Sequence, residues 1–212
     1  NDLAKVLAVL APFKDNLEGV VIESTYNLYW LVDGLQSNEY PVRLANPSAI
    51  KQYEGLKYTY EKSDAFWLAQ MLRLNILPEG YIYPQEQRAI RDLLRRRLLF
   101  KKHKTAMILS FQGTVSRQYG NKITCGVINR LTDKDIDELF PHSVLGFTAK
   151  KLIEGIQYHE KAVKEIEKEV LAHSQLKKEF EVLQTIPGIG KILGMTIMLE
   201  VGDISRFPNV GN

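Results

Sequence analysis

Gly19-Val20-Val21-Ile22-Glu23 is a short apolar run that ends in an acid, and it decides the fold of the first part of the chain. A continuous apolar run of this length is typical of a strand that is buried on both faces of a parallel sheet. We therefore expect a central strand that carries the carboxylate of Glu23 at its carboxyl-terminal tip, a position suited to chemistry.

The residues on either side of this strand predict helices. Residues 3–13 carry apolar side chains at helical spacing, which indicates a first helix. Ser24 or Thr25 follows the strand and can cap a second helix, which we expect to run through Leu35. The first strand is thus expected to lie between two helices.

A second strand and a further helix complete the pattern. Residues 40–45 alternate like a second strand, and Asn46-Pro47 is typical of a helix start. The order strand, helix, strand, helix indicates an α/β layer, which is expected to end near Leu77.

The rest of the chain is predicted to be helical, apart from loops over residues 75–84, 120–126 and 186–190. Helices are expected over residues 65–74, 86–118, 133–139, 148–184 and 191–201. The helix at residues 148–184 carries an imperfect heptad-like apolar stripe between Lys and Glu, which indicates a helical hairpin or a coiled-coil arm. The stripe consists of Leu152, Ile156, Val163, Ile166, Val170, Leu171, Leu176 and Phe180.

The composition excludes some classes of protein without selecting one. The formal charge is only +3, so an argument for nucleic-acid binding must come from where the cations lie. The single cysteine, Cys125, cannot form an internal disulfide, and no apolar run reaches the roughly 20 residues that span a bilayer. A reducing, intracellular setting without a membrane partner is expected. Both ends are expected to be truncated, because the chain begins at Asn1 within a helical pattern and ends in a loop at residues 207–212.

Two acids at the start of a predicted helix form the first candidate site. Glu61 and Asp64 are three residues apart, so their carboxylates lie on one face and can share a cation. Glu23 at the strand tip can be brought to the same point. Clustered carboxylates repel each other unless a divalent ion neutralises them, and Mg²⁺ prefers such oxygen ligands. The alternative is an ordinary helix N-terminus, where acids are stabilised by the helix dipole.

Eight cations within residues 88–104 form the second candidate site. They are interleaved with apolar residues that are expected to pack inward, and this density of charge exceeds what solubility requires, so we expect contacts with phosphates. The alternative is a solvated face paired with acids elsewhere, such as Asp133, Asp135, Asp137 and Glu138. The cations are Arg88, Arg91, Arg95, Arg96, Arg97, Lys101, Lys102 and Lys104.

The third candidate site is the turn Ile186-Pro187-Gly188-Ile189-Gly190, which is followed by Lys191. Gly188 and Gly190 allow the backbone to turn tightly and approach a phosphate, and the N–H groups of the next helix supply donors. This pattern resembles a helix-hairpin-helix, which binds the DNA backbone without reading its sequence. The alternative is a plain connection between helices.

The histidines and the cysteine indicate no further site. The spacing of His103, His142, His159 and His173 matches no zinc pattern, and Cys125 has no sequence neighbour that would activate it. We interpret all five as ordinary surface or core residues.

Several short motifs occur in order along almost the whole chain. They are Val20-Val21-Ile22-Glu23-Ser24-Thr25, Tyr29-Trp30-Leu31-Val32-Asp33, Val42-Arg43-Leu44-Ala45-Asn46-Pro47, Gly55-Leu56-Lys57, Glu61-Lys62-Ser63-Asp64-Ala65 and the turn at residues 186–190. Their order and separation resemble the DEDD transposases of the insertion-sequence one-ten family.

The resemblance implies an architecture and a function. Residues 1–77 would be part of a RuvC-like, ribonuclease-H-type nuclease domain, residues 78–183 a basic helix and a helical coiled-coil region, and residues 184–212 the start of a C-terminal transposase domain. Such enzymes move their element by DNA recombination in bacterial or archaeal cells. The resemblance therefore implies DNA and a structured guide RNA as partners, a cytoplasmic location, and self-association through the arm at residues 148–184.

The resemblance also implies the metal ligands. The strand-end acid of the family corresponds to Glu23, and its Asp-x-x-Asp-Ala motif to Glu61-Lys62-Ser63-Asp64-Ala65, so Glu23, Glu61 and Asp64 are expected to hold Mg²⁺ or Mn²⁺. Glu61 departs from the family, because it adds one methylene group to a ligand whose geometry Mg²⁺ constrains closely. The first Asp of the family is expected upstream of Asn1, and its nucleophilic serine beyond Asn212.

A protein of another class remains open: a non-catalytic nucleic-acid-binding or scaffold protein with an α/β cap, a basic helix and a coiled-coil arm. This alternative accounts for the charges equally well. It leaves unexplained why Glu23 at a strand tip occurs together with Glu61 and Asp64 in the order of the family. The sequence therefore favours a transposase fragment, which is expected to be inactive alone.

Overall fold

A computed structural model of the chain describes residues 2–24, 28–50, 61–173 and 178–207, with Glu61 described by its backbone only. The chain divides into two compact units, a first unit at Asn1–Ile82 and a second unit at Tyr83–Asn212. None of the helices in the described ranges is long and apolar enough to cross a membrane. The helices and strands are α1 (Leu3–Leu10), β1 (Val20–Glu23), α2 (Tyr29–Ser37), β2 (Val42–Ala45), α3 (Glu61–Arg73), α4 (Gln85–Tyr119), α5 (Cys125–Ile128), α6 (Asp133–Leu139), α7 (Ser143–His173), α8 (Lys178–Gln184) and α9 (Lys191–Val201).

The first unit contains a parallel pair of strands, which confirms its predicted α/β character. Strands β1 and β2 pair along their whole length, with Val20 opposite Val42 and Glu23 opposite Ala45. Helix α2 connects the two strands, as a parallel pair requires. Its buried side chains Val32 and Leu35 pack with Ile22 of β1 in one apolar cluster. The apolar run that begins at Val20 thus forms a strand, but the predicted central, fully buried position was wrong for the described residues: β1 pairs only with β2 there, and only Ile22 is buried.

Two predicted helix starts in the first unit were wrong. Ser24 does not cap α2, because the helix begins only at Tyr29 and its N-cap is Leu28. The backbone N–H of Ser24 continues the ladder by donating to the oxygen of Ala45. Thr25 lies outside the described residues. The helix predicted to start at Asn46-Pro47 is a single 3-10 turn at Pro47–Ala49, and residues 51–60 lie outside the described part of the chain.

The second unit is built on the antiparallel pair α4 and α7. Arg97 of α4 pairs with Glu167 of α7, and Lys104 pairs with Glu160, so residue numbers along the two helices run in opposite directions. Gly155 permits the close approach of these helices, because a Cβ atom there would lie 2.5 Å from Sδ of Met107. The long helices are therefore held together by both packing and ion pairs.

Most described residues of the apolar stripe of the predicted arm are covered within the chain, but Leu171 is exposed. Ile156 belongs to a buried cluster with residues of α4, and Val170 to another with residues of α4, α8 and α9. The single helix predicted over residues 148–184 is described as two helices, α7 and α8, and residues 174–177, with Leu176, lie outside the described part. The helical-hairpin interpretation of the stripe thus accounts for its burial.

Helices α8 and α9 form a helical hairpin around the predicted turn. Gly188 has φ of +90°, a conformation that favours glycine, whereas Gly190 has φ of −79° and serves as the N-cap of α9. A Cβ atom on Gly194 would lie 2.7 Å from Nε2 of Gln184, so the two helices approach closely at that point. The break predicted at residues 186–190 is confirmed. The short helix α5 was not predicted.

Candidate functional site

The carboxyl end of β1 and the N-terminal part of α3 line one cavity of about 710 Å³ in the first unit. Glu23 and Asp64 both line this cavity, which we call the acidic cavity, and apolar side chains such as Leu68 and Leu72 form part of its wall. Both acids line this cavity because α3, which carries Asp64, packs against β1, which ends at Glu23. Elements that are distant in sequence thus bring together two of the three predicted metal ligands.

Asp64 has a carboxylate oxygen without a partner. Its Oδ1 atom is buried, and none of the described residues donates a hydrogen bond to it. A buried polar atom without a partner is costly, and such atoms are rare in folded proteins. A divalent cation is an oxygen-seeking partner that would satisfy this atom, so the chemistry of the acidic cavity fits a Mg²⁺ or Mn²⁺ ion.

The third predicted ligand cannot be assigned a contact. Helix α3 begins at Glu61, so Glu61 and Asp64 lie one turn apart on one helix, but the side chain of Glu61 is outside the described residues. Among the side chains that are described, no group of three His, Cys, Asp or Glu could hold a metal ion. The structure brings together Glu23 and Asp64, and the role of Glu61 stays a prediction.

Four cations of the basic helix are held in ion pairs with acids of the second unit. Their partners are not the acids named as alternatives from the sequence, since Asp137 binds Lys150 and Asp135 caps α6 through Thr132. The carboxylates lie instead on α7 and α9, far along the chain. The pairs are Arg91 and Arg95 with Glu200, Arg97 with Glu167, and Lys104 with Glu160.

Glu200 accepts four hydrogen bonds from two guanidinium groups. Arg91 donates from Nε at 3.0 Å and from Nη2 at 2.7 Å, and Arg95 donates from Nε at 2.7 Å and from Nη2 at 2.9 Å. The hydrogen bond from Arg95 lowers the pKa of Glu200 below its usual value, and the same bond raises the pKa of Arg95. The carboxylate is therefore ionised and its acceptor capacity is filled.

The remaining four cations of the basic helix differ in whether their side chains have partners among the described residues. Arg96, Lys101 and Lys102 are exposed, and no ion pair holds them within the described part of the chain. Arg88 is engaged, because its Nε donates to the backbone oxygen of Tyr83 at 2.6 Å. Of the eight predicted phosphate contacts, Arg96, Lys101 and Lys102 are thus free of internal partners among the described residues.

The predicted phosphate-binding turn lies at the surface of the second unit. Gly188, Gly190 and Lys191 are all exposed. Helix α9 has 11 residues, and its N-cap, Gly190, supplies no side-chain hydrogen bond. The arrangement leaves room for an anion at the turn, and whether a phosphate binds there stays a prediction.

Glu200 was not predicted from the sequence as a functional residue. Its partners lie 105 and 109 residues away, so no local spacing relates them. The available signal was chemical, because Glu200 is the only acid in the apolar helix Lys191–Val201. An ionised side chain in such a helix requires a partner of opposite charge.

The chain has sequence similarity to transposases. Residues 180–212 match the family model described as "Transposase IS116/IS110/IS902 family". The transposase for insertion sequence element IS1111A from Coxiella burnetii (strain RSA 493 / Nine Mile phase I) is 23% identical over 173 residues, which cover 79% of this chain and 46% of that protein. The chain therefore spans somewhat less than half the length of the curated relative that it matches.

The fold and the two similarities point to the same class of protein. An α/β unit with an acidic cavity and a helical unit with exposed cations are compatible with a protein that acts on nucleic acid. The family match and the relative support an insertion-sequence transposase. The matched residues 180–212 include helix α9 and Glu200.

Proposed function

We propose that the chain is part of an insertion-sequence transposase, a DNA recombinase that cleaves and joins DNA strands with the help of a divalent metal ion. The observation that carries this proposal is the acidic cavity, which both Glu23 and Asp64 line, together with the buried Oδ1 of Asp64 that has no hydrogen-bond partner among the described residues. The first unit would then be part of a RuvC-like nuclease domain. The activity belongs to the longer protein, in which a structured guide RNA would select the DNA.

Glu23, Asp64 and Glu61 would hold Mg²⁺ or Mn²⁺ in the acidic cavity. When bound, the ion would polarise a scissile phosphate and neutralise the charge that develops during strand cleavage. Asp64 lines the acidic cavity, and no described donor forms a hydrogen bond with its buried Oδ1. Glu23 is half-buried at the end of a strand, and this placement fixes its position more firmly than a loop would.

The exposed cations of α4 and the turn at residues 186–190 would contact the phosphate backbone of DNA or guide RNA. Each cation placed near a phosphate releases counterions and makes binding dependent on salt. Arg96, Lys101 and Lys102 suit this role because they are exposed. Arg91 and Arg97 do not, since they are mostly buried in ion pairs.

Self-association through the helical arm requires a surface other than the apolar stripe. Ile156 and Val163 are buried within the chain. Substituting them would unfold the α4–α7 pair and would not report on assembly. A change in sedimentation with protein concentration would support self-association, and a monomer at all concentrations would contradict it.

Calorimetric titration of Mg²⁺ and Mn²⁺ into the chain tests the proposal. Binding should be lost in Glu23→Ala and in Asp64→Ala and kept in Glu79→Gln, which removes an acid of the same unit that pairs with Arg43 outside the acidic cavity. Absence of binding to the wild-type chain would contradict the metal role. Metal-independent binding of nucleic acid would then favour the alternative, a non-catalytic nucleic-acid-binding or scaffold protein.

A further inference from the structure

Arg91, Arg95 and Glu200 form a cluster that we call the Glu200 latch. Both oxygens of the Glu200 carboxylate are engaged, and each arginine donates two hydrogen bonds. The two arginines are four residues apart on α4, so they reach the carboxylate from successive turns of one helix. This arrangement joins the C-terminal end of α9 to the first half of α4.

Backbone groups reinforce the Glu200 latch. The hydroxyl of Tyr83 donates to the backbone oxygen of Glu200 at 2.6 Å, and the guanidinium group of Arg91 lies 3.7 Å from the centroid of the Tyr83 ring. Arg88 donates to the backbone oxygen of Tyr83. The end of α9 is therefore held at its side chain and at its backbone, which restricts both its rotation and its displacement.

The burial of Arg91 distinguishes the Glu200 latch from an ordinary surface ion pair. Its side chain is only 10% exposed, and the neighbouring cluster consists of Leu94, Met195, Leu199 and other apolar residues. Burying a charged pair adds little net stability compared with apolar packing, but it strongly disfavours arrangements in which the partners separate. A cluster of this kind therefore specifies one position for α9.

The position of α9 sets the position of the turn at residues 186–190. Helices α8 and α9 pack closely at Gly194, so a displacement of α9 is expected to displace the turn that joins the two helices. Fixing the far end of α9 on α4 consequently fixes exposed Lys191 relative to exposed Arg96, within the same unit. Cations on one surface bind a phosphate backbone best when their spacing is preorganised.

We propose that Glu200 is a positioning residue for nucleic-acid binding: it holds α9, and with it the exposed turn at residues 186–190, at one position on α4, and the affinity of the second unit for a phosphate backbone depends on that position. The proposal rests on the proposed contact of this surface with DNA. Glu200 lies beside the basic helix, and repulsion between its carboxylate and a phosphate would by itself oppose nucleic-acid binding. The proposal nevertheless gives Glu200 a favourable role in that binding.

The direction of the effect of Glu200→Gln tests this proposal. Simple electrostatics predicts tighter binding of a DNA duplex, because the substitution removes a negative charge next to Arg95. The Glu200 latch predicts weaker binding, by roughly three- to tenfold, because the hairpin loses its fixed position. Glu165→Gln is the matched control, since Glu165 is exposed on α7 and pairs only with Lys161, at 3.8 Å, among the described residues.

Arg91→Lys gives a second test in which the net charge does not change. Lysine cannot form the two-pronged contact of a guanidinium group, so affinity should also fall while Glu165→Gln binds at least as tightly as wild type. Binding by Glu200→Gln and Arg91→Lys as tight as that of the wild-type chain would overturn the proposal.

Amide hydrogen exchange separates failure of this proposal from failure of the proposed function. The Glu200 latch predicts faster exchange over residues 186–201 in Glu200→Gln than in Glu165→Gln. If the wild-type chain binds no duplex, the proposed contact with DNA is wrong, and the exchange rates still decide whether Glu200 positions α9. Unchanged exchange over these residues would contradict the positioning role.

Discussion

Asp64 and Glu200 are two carboxylates in opposite situations. Glu200 accepts four hydrogen bonds from two arginines, so its capacity as an acceptor is filled. Asp64 lines a cavity of about 710 Å³ and has a buried oxygen that no described residue contacts through a hydrogen bond. Both acids lie on helices and both are partly buried, so neither burial nor secondary structure distinguishes them.

The difference lies in what surrounds each oxygen. A carboxylate that is fully paired within the chain stabilises an arrangement of helices, and removing it leaves a buried cation without a partner. A carboxylate with an unpartnered oxygen in a cavity is costly to the folded chain, and it is available to an external cation. Substitutions at the two positions should therefore change stability in opposite directions.

The largest expected effect is that of Glu200→Ala on stability. Arg91 would remain buried without its carboxylate, and the free energy of unfolding of the second unit should fall by about 3 kcal/mol. Urea unfolding monitored for the second unit measures this change. Glu165→Ala, at an exposed ion pair, should change it by less than about 0.5 kcal/mol, and an equal loss in both variants would remove the contrast.

The next largest expected effect is on the affinity for duplex DNA, and it follows from substituting the exposed cations of α4. Combined substitution of Arg96, Lys101 and Lys102 by Ala should reduce the slope of log affinity for duplex DNA against log salt by up to about 2.7, since each phosphate that a cation neutralises adds about 0.9 to the slope. Arg97→Ala should leave the slope nearly unchanged, because Glu167 already pairs with Arg97. Equal slopes in both variants would contradict this division of the basic helix.

Asp64→Asn should have a small effect of opposite sign. The amide removes the cost of an ionised group with a buried, unpartnered oxygen, so in the absence of metal the free energy of unfolding should stay constant or rise by about 1 kcal/mol. Thermal or urea unfolding in chelator measures it. A loss of more than about 2 kcal/mol would mean that Asp64 has a structural partner after all.

The smallest expected effect on stability comes from His159. This residue also tests whether a buried polar atom without a partner is enough to indicate a binding site. Its Nδ1 is also buried without a partner among the described residues, but the ring packs with Phe100, His103 and Tyr158 and does not line the acidic cavity. Burial lowers the pKa of His159, and the nearby His103 lowers it further. The neutral ring is therefore the form that the folded chain favours.

The pH dependence of stability follows from this direction. Because the folded-state pKa lies below the ordinary value of 6.5, stability should be full above pH 6.5 and should decrease as the pH falls below it. One such group gives a slope of at most about 1.4 kcal/mol per pH unit. His159→Gln should remove this slope in urea unfolding between about pH 7.5 and 5.5, a range chosen to span the ordinary histidine pKa. If the pH dependence of stability persists in His159→Gln, another titratable group causes it.

Local signals in the sequence predicted local structure well. The apolar run Val20–Glu23 formed a parallel strand, helix α6 has the predicted bounds Asp133–Leu139, and the turn at residues 186–190 separates two helices. Each of these features depends on neighbouring residues, through periodicity, capping or the conformation of glycine. The cap proposed at Ser24 failed because α2 begins only at Tyr29, with Leu28 as its N-cap, while Ser24 still extends the strand ladder through its backbone.

Long-range partners could not be predicted in the same way. The sequence indicated a basic helix. It did not indicate that three distant acids, Glu160, Glu167 and Glu200, pair with half of the cations of that helix. These ion pairs depend on how α4, α7 and α9 pack, which local sequence does not reveal. That Glu23 and Asp64 lie at one site was proposed from their positions at a strand tip and a helix start and from the family resemblance, and the structure places both residues in the lining of one cavity. This placement now has a physical basis in the packing of α3 on β1.

Binding of Mn²⁺ observed by NMR tests most directly whether the unpartnered carboxylate, and not the paired one, serves a metal ion. The paramagnetic ion should broaden amide resonances near Glu23 and Asp64, leave those near Glu200 sharp, and lose its effect in Asp64→Asn. Broadening of equal extent around Glu200, or broadening near Glu23 that persists in Asp64→Asn, would contradict the account.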